Sequence, residues 1–309
     1  MRKLLQLSII ILLTTTFFTV SYSQQLPRGS LIEGNRFIWN PAITGSWDYL
    51  EANANYIQQW AGFQDAPQLI SINGQIPFTA FNMGVGIQLH QEETGPLRET
   101  GIQVNYAYHI PMGYAGRLSF GIAANVRQYT YNPTDEIAVD PNDIKLFEQQ
   151  SNANHINFGA GIYYKSVDVD EWYKSHFFGG IGFFQALPGN LIFDVDNVNV
   201  NFERVIHAYA LAGYRFDLDN SFIDLAVQAD YAASDIVIPR LNAAFEMHET
   251  FWAGVAVDGS FSPSIQLGYI FNNGEDWSFR LGAYASTNSV ASNVGLGTTY
   301  GFTGAFRLE

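Results

Sequence analysis

An all-β fold, a transmembrane antiparallel β-barrel of about fourteen strands, is what this sequence predicts, on three observations. The first is a hairpin over residues 81–110. Phe81, Met83, Val85, Ile87 and Leu89 alternate with Asn82, Gly84, Gly86, Gln88 and His90. Ile102, Val104, Tyr106, Tyr108 and Ile110 likewise alternate with Gly101, Gln103, Asn105, Ala107 and His109. Each run is about ten residues, the length at which a tilted strand crosses a bilayer core. A period of two then puts every apolar side chain on one surface and the small or polar ones on the other. The second observation is composition: Gly 28, Tyr 17 and Phe 24 with only 14% charged residues suit strands that face lipid on one side and a lumen on the other. The third is an alternation of short and long connections along the chain.

Taken in order, the elements begin with a secretory signal peptide over residues 1–23. The apolar stretch Leu4 to Val20 follows Arg2 and Lys3 and ends at Ser21-Tyr22-Ser23, so cleavage is expected before Gln24. Residues 24–48 form an irregular lead-in, periplasmic or lumen-plugging, because Pro27, Gly29, Gly34, Pro41 and Gly45 interrupt any long element. The barrel occupies residues 49–309. Its expected strands cover residues 49–60, 68–76, 81–90, 100–110, 117–129, 154–165, 175–185 and 204–216, then 221–231, 237–247, 250–257, 264–272, 276–285 and 294–308. An even number places both ends of the barrel on the periplasmic side. Connections after even-numbered strands are brief, as at 77–80, 111–116 and 217–220, and the long ones, 91–99, 130–153, 186–203 and 286–293, follow odd-numbered strands. Outer-membrane barrels have short periplasmic turns and longer external loops. The nine-residue connection 166–174 is the exception, a long turn on the short side.

Charge and residue usage exclude several classes of function. The chain has no cysteine, which removes disulfides, thiolate metal sites and cysteine nucleophiles. A net charge of −14 disfavours nucleic acid, whose affinity comes largely from Lys and Arg neutralising phosphates. The six histidines lack metal-binding spacing, and no Gly-x-Ser-x-Gly elbow is present, so no catalytic, cofactor or metal residues are assigned. Acidic runs at Asp168 to Glu171, Asp194 to Asn197 and Asp135 to Asp143 lack the glycine and spacing of a calcium loop and are read as solvated.

One candidate cluster lies on the expected inner face: Asp224 and Asp230 on one strand, Arg240 and Glu246 on the next, with His207 on the preceding strand. With a turn near Ser234, Asp230 and Arg240 are diagonal neighbours. An interior ion-pair network is the structural reading, and a selectivity or ligand site the functional one.

Several runs, taken in order, resemble the PorP/SprF family of outer-membrane proteins, associated with type IX secretion and gliding motility in Bacteroidetes. They are Asn40-Pro41-Ala42-Ile43-Thr44-Gly45, Gln59-Trp60-Ala61-Gly62-Phe63 with Ala66-Pro67, Thr94-Gly95-Pro96, Tyr106-Ala107-Tyr108, Arg117 to Gly121 and Asn157 to Tyr164. The motif residues Asn40, Pro41, Gly45, Trp60, Pro67, Gly95 and Pro96 are expected to be structural or partner-contacting, Trp60 as an interface anchor. The resemblance implies a non-enzymatic barrel in outer-membrane lipid that works with the translocon and periplasmic ring proteins. Its role would be export or surface retention of large cargo, adhesins included. Asp168, Asp170 and Trp172, in the long turn, are the candidate periplasmic contact. The alternative is a passive channel for small or hydrophobic solutes.

Overall fold

Alternation with a period of two continues along the chain after residue 49, and the strands it specifies close on themselves. The computed structural model describes residues 36–132, 151–167, 174–186, 190–195, 198–203, 206–232, 236–247, 250–259, 262–273, 276–287 and 297–308. The wall begins with β1 (Leu50–Gln58), β2 (Gln68–Phe78), β3 (Met83–Thr94), β4 (Leu97–Pro111), β5 (Arg117–Tyr131), β6 (Ser151–Lys165) and β7 (His176–Phe184). A separate two-stranded sheet follows, β8 (Asn190–Val195) with β9 (Val198–Glu203). The wall resumes with β10 (His207–Asp217), β11 (Ser221–Ala232), β12 (Ile236–Met247), β13 (Phe251–Asp258), β14 (Pro263–Asn272), β15 (Trp277–Ser286) and β16 (Thr299–Leu308). Each strand pairs antiparallel with the next, β7 pairs with β10, and β16 closes on β1 from Leu50↔Leu308 to Gln58↔Tyr300. The barrel therefore has 14 strands. Closure leaves no strand edge to be satisfied in lipid.

Two faces follow from the pleat. Val85, Ile87, Leu89, Ile102, Val104, Tyr106, Tyr108 and Ile110 point outward and are exposed, whereas Gln103, Asn105 and His109 point inward and are buried. No helix among the described residues is long and apolar enough to cross a membrane. An arginine at Val104, 48% exposed on the lipid face, should cost about 2–4 kcal/mol near the midplane. The change Asn242→Arg, on the inner wall, should cost less than half as much in urea unfolding from vesicles. Asn105, which the sequence suggests as a mild lumen position, is an unsuitable control because its side chain is tied to the lumen's contents.

The structure corrects the expected connections in places. The 91–99 stretch is not a long loop: β3 and β4 stay paired to Thr94↔Leu97 and are joined by Gly95-Pro96 alone. Outward residues change there from Leu89 and Ile102 to Gln91, Glu93, Arg98 and Thr100, so hydropathy signals the edge of the membrane and not the end of the ladder. Arg98 and Glu93 pair across it at 2.7 Å, and Gly95 takes φ +56, a left-handed value that glycine adopts without strain. The 186–203 connection likewise contains β8 and β9, paired from Asn190↔Glu203 to Val195↔Val198. Phe81 belongs to a 3-10 turn (Thr79–Phe81) closed by Asn82 at φ +53, and β3 starts after it. Of the last expected strand, residues 294–296 lie outside the described residues.

Candidate functional site: a plugged lumen and the vestibule above it

The lead-in from Arg36 to Asp48 runs inside the barrel. It forms one helical turn, α1 (Arg36–Trp39), then a 3-10 turn (Pro41–Ile43). Phe37, Asn40, Ala42, Ile43, Thr44 and Ser46 are all buried. Asn40 caps the second turn: its Oδ1 accepts from the Ala42 N–H at 3.0 Å, while its Nδ2 donates to the Ile162 carbonyl of β6 at 3.0 Å. Pro41 starts that turn with φ already set and no N–H to satisfy. Gly45 has φ +66 and donates its N–H to Gln75 Oε1 at 2.9 Å. A buried irregular segment must find partners for its carbonyls, and the wall supplies them. Asn105 Nδ2 donates to Phe37 O (2.9 Å), Gln103 Nε2 to Ile38 O (3.1 Å) and Lys165 Nζ to Ser46 O (3.2 Å). His109 Nε2 lies 3.0 Å from Thr44 O, which can only accept, so that nitrogen carries the proton and Nδ1 accepts from Ser119 Oγ at 2.7 Å.

Wall glycines give this segment its seat. A Cβ on Gly121 would lie 2.2 Å from Ala42 N, one on Gly161 2.0 Å from Asn40 Oδ1, one on Gly182 2.3 Å from Trp39 O and one on Gly84 2.1 Å from Thr44 O. Only residues without a side chain allow backbone this close. Cation–ring contacts join plug and wall in both directions: the wall's Lys165 Nζ sits 4.3 Å from the Trp47 ring centroid of the plug, and the plug's Arg36 guanidinium 5.0 Å from that of Phe178 on β7.

The expected charge cluster is divided among separate ion pairs. Asp224 is bidentate to Arg215 of β10, with both bonds at 2.7 Å, and Arg215 also stacks 3.6 Å from the Phe222 ring centroid. Asp230 and Arg240 are diagonal neighbours, 3.4 Å apart, with Gln228 donating to Asp230 at 2.7 Å. Glu246 pairs with Arg280 of β15. His207 stands apart from all three and lines the vestibule described below. A fourth pair joins Arg307 to Glu51 at 2.8 Å, and Glu51 in turn accepts from Gln75, which holds the plug at Gly45. Sequence reasoning missed Arg215, Arg280, Lys165 and His109. Inward parity marks His109, and the short β10–β11 turn sets Arg215 directly opposite Asp224, a pair that hairpin register could have revealed; Arg280 lies three strands from Glu246 and Lys165 bonds the plug, which no local spacing shows.

The motif residues occupy two regions. Asn40, Pro41 and Gly45 are in the plug. Trp60, Pro67, Gly95 and Pro96 are at the opposite, long-connection end. Trp60 is half-buried with φ +47, so it turns the chain. Pro67 O accepts from the Gln59 N–H at 2.8 Å, the Gly95 N–H donates to Asp65 O at 3.0 Å, and Pro96 O accepts from the Asn132 N–H at 2.8 Å. These bonds knit the β1–β2 connection, the Gly95-Pro96 turn and the top of β5 together. Asp168, Asp170 and Trp172 lie outside the described residues.

Above the plug, at this end, is a vestibule with about 80 Å³ of internal volume, open to solvent. Trp39, Ile57, Leu69, Phe184 and Tyr209 form its apolar wall, with Trp39 and Tyr209 centroids 4.8 Å apart. Its polar side carries His90, Glu92, Glu99 and Arg127. Glu99 accepts from Arg127 at 2.9 Å and lies 2.9 Å from His90 Nε2. Glu92 and Glu99 face each other across the β3–β4 ladder, three residues beyond Leu89↔Ile102, the last lipid-facing apolar pair. Burial and then the facing Glu99 carboxylate push the Glu92 carboxyl up to about 7, against the pull of Arg127. Burial opposes ionisation of Glu99 too, but Arg127 and His90 outweigh it and hold that group at about 2. Among the described residues no group of three or more metal-ligating side chains is placed to hold a metal ion.

This fold has solved relatives in shape. The CymD monoaromatic hydrocarbon channel superimposes with a TM-score of 0.55 at 9% identity, covering 90% of this chain and 93% of that one. The Ralstonia pickettii toluene transporter TbuX gives 0.55 at 10% identity, covering 90% and 94%. A Pseudomonas aeruginosa FadL homologue gives 0.51 at 11% identity, covering 91% and 95%. Identities this low show a shared outer-membrane barrel and no more. No curated protein sequence matches the chain. The family model "Type IX secretion system membrane protein PorP/SprF" matches residues 21–306, plug, wall and vestibule alike. With an outer-membrane barrel and a family match over nearly its whole length, this chain belongs to the PorP/SprF family of type IX secretion system membrane proteins.

Proposed function

We propose that this barrel is a non-enzymatic, plugged scaffold of type IX secretion that supports export or surface anchoring of large cargo such as adhesins, with a link to gliding motility. The observation that carries the reading is the plug. Four of its carbonyls are held by wall side chains and its backbone lies on wall glycines. Such an investment in filling the lumen suits a docking body better than a pore. In this reading the signal peptide, residues 1–23, is removed on export. The short-turn end, with Asp168, Asp170 and Trp172, faces the periplasmic ring proteins, and the long connections meet translocon and cargo outside.

A passive channel for small or hydrophobic solutes is the second reading, and the vestibule favours it. Planar-bilayer recording separates the two. The full chain should be silent, and the chain lacking residues 36–48 should conduct. Steady conductance from the full chain would support the channel.

A further inference from the structure

We propose that the vestibule binds an organic cation, an ammonium or guanidinium group on an apolar stem bearing carbonyl oxygens, as a basic peptide segment does. The inference goes beyond the secretion reading and does not depend on it.

Four observations converge. Like charges placed directly opposite in a ladder are destabilising, yet Glu92 and Glu99 are opposed on the inner face. Arg127 and His90 are committed to Glu99. Glu92 is partly buried in the vestibule wall, within the field of Arg127 but in no ion pair of its own among the described residues. The opposite wall is aromatic: Trp39 and Tyr209 lie 4.8 Å apart, and Phe184 sits 6.1 Å from Tyr209, edge to face. A carboxylate facing aromatic rings is the environment in which a desolvated cation is held from both sides, by charge and by the ring quadrupoles.

The remaining observation concerns satisfaction. Three buried polar atoms of vestibule-lining residues, on both sides of it, lack hydrogen-bond partners: Trp39 Nε1, His90 Nδ1 and Arg127 Nε, with the His90 side chain only 9% exposed. Trp39 Nε1 and Arg127 Nε can only donate. Buried donors without acceptors call for an explanation, and peptide carbonyls provide one that a bare metal ion or an alkane does not. Titratable groups facing the site are His90, Glu99, Arg127, Tyr129, His207 and Tyr209.

Detergent-purified full-length protein, titrated calorimetrically with acetyl-Gly-Leu-Lys-Leu-Gly-amide and with its norleucine counterpart, tests this. The lysine peptide should bind at least tenfold more tightly. Glu92→Gln should remove at least tenfold of that affinity, while Glu93→Gln, on the outer face, should leave it unchanged. A third titration with n-butylamine distinguishes sources: binding as tight as the peptide's assigns the site to free amines, and weaker binding assigns it to peptide. Equal affinity for the lysine and norleucine peptides, or no binding of either, overturns the proposal. That comparison uses the unmodified protein and stands even if Glu92→Gln fails to fold.

Discussion

Replacing Gly121 by valine should push the plug off the barrel wall and turn a silent protein into a conducting one. The added Cβ would sit 2.2 Å from Ala42 N and 2.3 Å from Pro41 C. Both are backbone atoms of a turn pinned by Asn40 and, further along, by His109, so no side chain can swing away to make room. Overpacking of this kind costs about 1–3 kcal/mol when neighbours can yield, and more when they cannot. The wall is the stiffer partner, because β5 is hydrogen-bonded along its whole length to β4 and β6. The plug gives way first. Bilayer recording should show steady current from Gly121→Val and none from the parent, and Ala124→Val, on the outer face of the same strand, should stay silent. A silent, equally stable Gly121→Val would mean that residues 41–42 do not rest on β5.

Removing Asp224 should be the most destabilising single loss of charge in the wall. Asp224 is 1% exposed and Arg215 2% exposed, and their two bonds are both 2.7 Å. Burying the pair gains little over apolar residues of the same shape, but leaving one partner alone costs about 3–5 kcal/mol. Asp224→Ala should therefore lower the unfolding free energy in vesicles by about that amount. The double change Arg215→Met with Asp224→Leu should recover most of it. The exposed pair Arg98–Glu93, equally short at 2.7 Å, should lose less than about 1 kcal/mol on Glu93→Ala, because water screens both ends. Equal losses at Asp224 and Glu93 would contradict the burial of the first pair.

What the sequence displayed, and what it concealed, divides along physical lines. Alternation is local, so each barrel strand was readable where lipid faces one side, from Val85 to Leu89 and from Ile102 to Ile110. Beyond the membrane the same ladder carries Gln91, Glu93 and Arg98 outward, and a hydropathy pattern has nothing left to report. The β8–β9 hairpin was hidden for a similar reason: its short strands sit among acids that read as solvated loop. Asp230 and Arg240 could be set side by side because they lie on consecutive strands, whose register puts Gln228 opposite Arg240. Glu246 could not be given Arg280, three strands away around the barrel, until the full strand order was fixed, whereas Asp224 and Arg215 are directly opposed across the short β10–β11 turn and were within reach of hairpin register. Asn40-Pro41 was legible as a motif, but its place was not. Nothing local says that Gly121, Gly161 and Gly182 form one floor beneath it.

The vestibule shows the same limit. His90 and Glu92 lie on β3, Glu99 on β4, Arg127 on β5, Tyr209 on β10, and Trp39 on the plug. Chain separations of up to 170 residues between them leave no spacing to recognise. Their meeting is a product of the barrel's girth and of the lead-in segment that runs inside it.

The central claim is that this plugged barrel serves secretion and not solute entry. Its most direct test is a clean deletion in the native host, complemented by the parent gene, with the secreted and surface proteomes compared alongside small-solute uptake. The account predicts selective loss of one or a few large exported proteins with uptake intact. An unchanged surface with altered uptake would contradict it.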